Sequence, residues 1–239
     1  MKNRQLLAFL TATALLLLLL TGCGGKTGIP GGTVVPNTTQ ATTEATTAPT
    51  SATTVTGDLG RMEGGVYTNT YTGYSVALNE NWTYYTAQEL QQLPENAKEL
   101  FSDSELADQY NAIADMMAES VADLATINVQ YQKLSMSERL AYATMSNDAF
   151  IDNLLLQKDV MVDAYISAGM TNIHMEKATA TFLGESRTVL KTTFTNPTGT
   201  LCYVVQIQHY NLGAYGVTLT VTTFIEDNTQ ALLDLFVKA

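Results

Sequence analysis

Four β-rich segments, at roughly 172–183, 186–195, 200–210 and 215–225, constrain the fold of this 239-residue chain more than any other feature. Their connectors are Gly184-Glu185, Asn196-Pro197-Thr198-Gly199 and Leu212-Gly213-Ala214. Links that short cannot carry a crossover between parallel strands, so the segments form an antiparallel meander. In the last of them Val217, Leu219 and Val221 alternate with Thr218, Thr220 and Thr222. A period of two puts each set of side chains on its own face of a sheet.

Upstream, Val66 to Asn69 and Tyr74 to Leu78 flank Tyr71-Thr72-Gly73 and read as a hairpin. Asn79-Glu80-Asn81 then turns the chain into Trp82. Thr86 with Glu89, and Ser102 with Glu105, have capping-box spacing, which predicts helix starts near 87 and 103 with Pro94 between the helices. Ile113 to Ala118 suits either a helix or a strand; the expectation is a strand, paired through Glu119 to Leu124 with Thr126 to Gln132. Residues 147–168 predict one long helix. Phe150, Leu154, Met161 and Tyr165, beside Ile151, Leu155, Val162 and Ile166, make its apolar face. Asp148, Asp152, Asp159 and Asp163 lie opposite, and Gly169 is a natural C-cap. A last helix is expected over 228–238, started by Asp227 and Gln230 at capping-box spacing, with Leu232, Leu235 and Phe236 closing over the sheet. The expected class is α+β, a single antiparallel β-sheet covered by helices.

That order resembles the Mog1/PsbP-like α/β/α sandwich. The stretches carrying the resemblance are Tyr71-x-Gly73-Tyr74-Ser75-Val76 before Asn81-Trp82, then Asp115-Met116-Met117-Ala118 with Ile127-Asn128-Val129. Phe182-Leu183-Gly184 and Val221-Thr222-Thr223-Phe224 complete it. It spans about 61–239 and consists of pattern, with no catalytic motif. It implies a fold and a lean toward binding, because the named relatives, a nuclear-transport factor and a photosystem subunit, are non-enzymatic binding proteins.

The N-terminus addresses delivery. Lys2 and Arg4 precede an apolar run from Leu6 to Leu20, and Leu20-Thr21-Gly22-Cys23 follows. The run suits a signal peptide and is short of the about 20 residues a membrane span needs. The last four residues resemble the bacterial lipobox. That resemblance implies residues 1–22 as a lipoprotein signal peptide, diacylglyceryl transfer to Cys23, and a chain held at the extracytoplasmic face of the cell membrane by its lipid. Residues 23–60 then read as a tether. Eleven of the twenty-four residues from Thr33 to Thr56 are threonine, too little apolar surface to offset ordering entropy. The globular domain is expected over 61–239.

Losing Lys2 and Arg4 leaves 10 Lys and Arg against 23 Asp and Glu, a net charge of −13. No window holds the basic stripe that phosphate neutralisation requires, which argues against nucleic acid as a partner. With Cys23 lipidated, Cys202 is the one remaining thiol and no internal disulfide forms. His174 and His209 belong to no metal-ligand spacing, and no nucleophile elbow, phosphate loop or dinucleotide fingerprint occurs, so no catalytic residue, metal or cofactor is expected. Cys202 and His209 are seven positions apart on one strand, which puts them on opposite faces. His209 is expected at the strand's end within reach of water. The acidic stripe on the long helix reads as a solvated face. Tyr67, Tyr71, Tyr74, Trp82, Tyr84 and Tyr85 crowd one short stretch and are the candidate binding residues, with core filling as the competing reading.

The function these features favour is a non-enzymatic interaction module at the cell surface, with a protein or cell-envelope partner. The alternative is a small-ligand or glycan-binding lipoprotein; an enzyme is less expected. Replacing the acylated sulfur tests the anchor: Cys23→Ala should abolish palmitate labelling and move the protein out of the membrane fraction.

Overall fold

The computed structural model describes residues 60–98, 112–210 and 212–239. Short strands come first: β1 (Arg61–Glu63), β2 (Val66–Asn69), β3 (Tyr74–Ala77) and β4 (Trp82–Tyr84), followed by helix α1 (Ala87–Lys98). The hairpin of β5 (Ala112–Ser120) and β6 (Ala125–Lys133) leads to three helices, α2 (Met136–Tyr142), α3 (Asn147–Leu155) and α4 (Lys158–Ser167). The meander is β7 (Thr171–Phe182), β8 (Glu185–Thr195), β9 (Leu201–His209) and β10 (Tyr215–Phe224), and the chain closes with α5 (Thr229–Leu233) and β11 (Phe236–Lys238).

Among the described residues the strands form two antiparallel sheets rather than the single one expected. The larger runs β4-β5-β6-β10-β9-β8-β7 and the smaller β1-β2-β3-β11. The reason lies in the 66–77 hairpin. Its register sets Tyr67 against Val76 and Asn69 against Tyr74, and all four are buried. A hairpin with one fully dry face is satisfied by lying flat on another sheet, not by extending that sheet's edge. Tyr74, 0% exposed, sits at the centre of this contact with its ring edge-on to Phe182 and Phe236. Against it the large sheet presents Ile127, Val129, Tyr131, Val205, Ile207, Val217, Leu219 and Val221.

The two sheets are also tied by a polar junction. A bulge in β5 between Ala114 and Met116 displaces Asp115 from the regular register. Its carboxylate accepts from the Tyr67 hydroxyl at 2.5 Å and from the Gly60 backbone N–H at 2.9 Å. Asn69 Nδ2 donates to the same hydroxyl at 2.8 Å.

The opposite face of the large sheet is covered by helices. Residues 147–168 form α3 and α4, not one helix, with the break at Leu156 and Gln157. Leu156 is 84% exposed there, and Gln157 N–H tightens onto Leu154 C=O, three residues back. The break lets Ile151 and Leu154 of α3 and Met161 and Tyr165 of α4 share one core with Leu190, Phe194, Cys202 and Val204. Gly169 ends α4 at φ 81°, its N–H on Ile166 C=O while Met170 N–H returns to Tyr165 C=O, a Schellman closure.

Three further expectations change. Pro94 lies inside α1 and does not terminate it; the helix start near 103 falls outside the described residues. The Thr86–Glu89 box does form, with Thr86 N–H donating to Glu89 at 2.8 Å and Glu89 N–H to Thr86 Oγ1 at 3.3 Å. Residues 228–238 split into α5 and β11. Asp227 does not pair with Gln230; it accepts from Thr229 N–H and Oγ1, and Gln230 turns away. β11 then joins the open edge of β3 in the register Phe236↔Val76, which satisfies backbone groups a free edge leaves unpaired.

Gln230 has a second role at the outer edge of the large sheet. Its side-chain amide accepts from Thr181 N–H at 3.0 Å and donates to Thr181 C=O at 2.8 Å, as a neighbouring strand would. Further along β7, Lys158 donates to Met175 C=O at 3.3 Å.

The C-terminal strand gives a test that a closing helix would not. Phe236→Ala should cost about 3–5 kcal/mol in urea unfolding. Leu235→Ala, at a position facing solvent, should cost no more than about 0.5 kcal/mol.

Candidate functional site

Strands β6, β10 and β9 lie side by side at the middle of the large sheet. One face is the apolar core already described. On the other, the register aligns Gln130–Thr218–Gln208 in one row and Asn128–Thr220–Gln206 in the next, with Thr126–Thr222–Val204 beyond. Such alternation normally marks a solvated face. Here it is dry: Asn128 is 2% exposed and Gln130 1%, and the Thr and Gln side chains beside them are buried as well.

Only part of this amide–hydroxyl face satisfies itself. The Thr218 hydroxyl donates to Gln208 Oε1 at 2.6 Å, and Gln206 Nε2 donates to Thr220 Oγ1 at 3.4 Å. Both amide atoms of Asn128, both of Gln130, Gln206 Oε1 and Thr222 Oγ1 have no hydrogen-bond partner among the described residues. Each such atom left unmade costs about 1–3 kcal/mol. Six together reach on the order of 10 kcal/mol, comparable to the whole net stability of a domain. These groups therefore need partners that the described residues do not supply.

At the Gln208 end the face runs into an aromatic mouth. Phe150 and Tyr210 stack with centroids 3.8 Å apart and planes 6° from parallel. Tyr142 stands edge-on to both, at 5.2 and 5.8 Å. Leu134, Gly216, Gln132, Gln208 and Thr218 complete the lining, and the free space is about 10 Å³, room for one water. Burial and then Glu138 push the Tyr142 phenol up to about 12, so it stays a neutral hydroxyl. The helix that carries it, α2, is capped by a full Ser135–Glu138 box that the sequence reading missed, and Tyr142 is its one buried residue.

The six candidate aromatics do not converge on one exposed surface. Tyr67, Tyr74 and Trp82 are buried in the intersheet core, and Tyr71, Tyr84 and Tyr85 are half-buried. The Tyr71 hydroxyl is engaged by Tyr215 N–H at 3.1 Å, and Tyr85 donates to Glu119 at 3.1 Å. Cys23 lies outside the described residues.

The titratable groups are kept apart. Cys202 is buried against the helices, where burial pushes its thiol up to about 12. His209 is buried in the other core, only 7% exposed, contrary to the expectation that water reaches it. Its strand end is roofed by Tyr74 and Phe182, with ring centroids at 5.8 and 6.3 Å. Burial, and then Arg187, lower its pKa to about 3. His174 is exposed with Nε2 3.4 Å from Glu176, and its register partners are Thr193 and then Tyr203, one residue off the Phe194–Cys202 pair that faces the helices. On α3, Asp148 and Asp152 hold Lys177 of β7 at 3.1 and 2.7 Å, so this half of the acidic stripe is an ion-pair cluster. Among the described residues no three His, Cys, Asp or Glu side chains gather as a metal site, and no helix is long and apolar enough to cross a membrane.

No protein-family model matches the chain, and no curated protein does. Among solved structures it is similar to the solution structure of cyanobacterial PsbP (CyanoP) from Synechocystis sp. PCC 6803, at 13% identity and a TM-score of 0.37, covering 80% of this chain and 99% of that one.

His209 makes stability depend on pH in a defined window. The unfolded imidazole takes a proton near its ordinary 6.5 and the folded one only near 3. The unfolded chain therefore binds the extra proton between those values, and stability falls as pH drops through them, by up to about 5 kcal/mol. Asp115 acts in the opposite sense: burial raises its pKa, so its contribution is full below the ordinary 3.8 and lost as pH rises through the folded value. His209→Phe should therefore flatten the decline in melting temperature between pH 7 and about 4, measured against the parent chain.

Proposed function

We propose that this chain is a lipid-anchored, extracytoplasmic binding module without catalytic activity. Cys23 holds it to the membrane, residues 24–60 give it reach, and the domain engages a neutral partner of the cell envelope. The observation that carries this reading is the amide–hydroxyl face, where polar groups converge with hydrogen-bonding capacity unspent. Catalysis by proton transfer needs a nucleophile and a base within about 3 Å. Cys202 and His209 instead occupy different cores, each shifted away from the charged form that would make it reactive.

The finer fold assignment is part of this proposal. The Mog1/PsbP-like sandwich is supported by the order of its stretches: Tyr74-Ser75-Val76 lies in β3 ahead of Trp82 in β4, and Met116-Met117-Ala118 pairs with Ile127-Asn128-Val129 across the β5–β6 hairpin.

Crosslinking of intact cells that carry the tagged chain tests the function. A discrete adduct should form, persist in His174→Ala and Cys202→Ser chains, and be lost when Cys23→Ala releases the protein from the membrane. Loss of the adduct in either of the first two variants, with circular dichroism unchanged, would overturn the non-enzymatic reading.

A further inference from the structure

We propose that the amide–hydroxyl face and its aromatic mouth form the seat for one ring of a neutral sugar, admitted past Tyr142. The inference rests on the reading of the chain as a binding module and names the chemistry of what is bound.

Charge decides the class first. The unpartnered groups of Asn128, Gln130, Gln206 and Thr222 are all uncharged. A buried ion without a counter-charge is far more costly than a buried hydroxyl. An anion would lie beside Glu119, which pairs with Thr126 across β5 and β6 at the border of the face. A cation would need that carboxylate, which stands at the border of the face and not among its unpartnered groups.

Hydrogen-bond pattern narrows the class further. Each free amide offers a donor and an acceptor side by side, and a threonine hydroxyl can act as either. Sugar hydroxyls have the same dual character and occur next to one another. Neighbouring strands lie about 4.8 Å apart, so Asn128 and Gln206, on the strands either side of Thr220, stand about 9.6 Å apart, the span of a pyranose together with its hydroxyls. An extended peptide would seek the backbone groups of a strand edge, whereas here only side chains on a sheet face are offered.

The mouth supplies the remaining elements. The Phe150–Tyr210 stack gives an apolar wall of the kind against which the C–H face of a sugar packs. The present space holds one water and no ring and reaches the face at Gln208 and Thr218, the row before Asn128 and Gln206, so entry requires side chains to move. Tyr142 is one that can: α2 is a seven-residue helix with no other buried residue, and its Met136 and Leu140 face solvent.

The test uses the full-length chain in detergent, titrated calorimetrically with neutral disaccharides (maltose, cellobiose, diacetylchitobiose) and with glucosamine and glucuronic acid as charged controls. At least one neutral sugar should bind at one per chain, and the charged controls should not. Asn128→Leu should weaken binding by at least about tenfold, since it removes two groups built to meet hydroxyls. The same change should leave the melting temperature unchanged or raise it, because a buried amide without partners among the described residues gives way to an apolar group of similar shape. Tyr142→Ala should speed association. The proposal is overturned if no neutral sugar binds at millimolar concentration, if charged sugars bind equally, or if Asn128→Leu leaves affinity unaltered. A fall in melting temperature with Asn128→Leu and no sugar bound would assign the face to structural water. In each of those cases the crosslinked adduct still decides the broader reading separately.

Discussion

The central sheet is covered on both faces. Antiparallel sheets usually turn one face to water, and their alternating sequences are written for that arrangement. Here the small sheet, seated through Tyr74, takes one face, and the helices take part of the other. The sequence of β6 and β10 nevertheless keeps the alternation of a half-wet sheet, with valine, leucine and isoleucine on one side and threonine, asparagine and glutamine on the other. Everything distinctive about this domain follows from that conflict. Polar groups that would ordinarily meet solvent are enclosed, and their hydrogen bonds have to be found inside the fold or brought to it.

Where the small sheet comes to rest depends on the junction at Asp115. The bulge turns a carboxylate out of the β5 register and toward Tyr67 and Gly60, so the small sheet meets a fixed acceptor as well as apolar side chains. Packing between flat faces is tolerant of sliding, because it is nearly non-directional. A half-buried carboxylate with its donors is not, and it sets where the hairpin rests. The Asn69 amide fixes the Tyr67 hydroxyl from the other side and accepts Thr72 N–H at 3.0 Å, so the turn of the hairpin is held by the same group.

Much of the architecture was legible in the residues. Connectors such as Asn196-Pro197-Thr198-Gly199 admit few paths, so the meander followed from local chemistry, and the β5–β6 hairpin followed from its two β-rich runs. The misreadings at Phe236 and His209 share one cause, a partner distant in sequence. Leu232, Leu235 and Phe236 have spacing compatible with a helix, and what makes Phe236 a strand residue is the open edge of β3, far upstream. His209 looked exposed because it ends its strand, but the roof over it comes from β3 and β7. Tyr67, Tyr74 and Trp82 were visible as a cluster without any sign of which way they faced. The amide–hydroxyl face was hidden in plain alternation: Thr218, Thr220 and Thr222 spell a wet surface unless the covering layer is known.

One small arrangement at the rim bears on how copies of this protein behave in company. A twelve-residue outer strand such as β7 is a template on which another chain can build. Gln230 occupies it at Thr181 by imitating the backbone of a neighbour, Lys158 takes the carbonyl of Met175, and between them Lys177 brings a charge that α3 holds in place. Two glycines in a turn or a longer loop could not do this; it takes side chains that satisfy the edge while refusing to propagate it. At those points the rim of the large sheet offers an approaching strand side chains already engaged in place of open backbone groups.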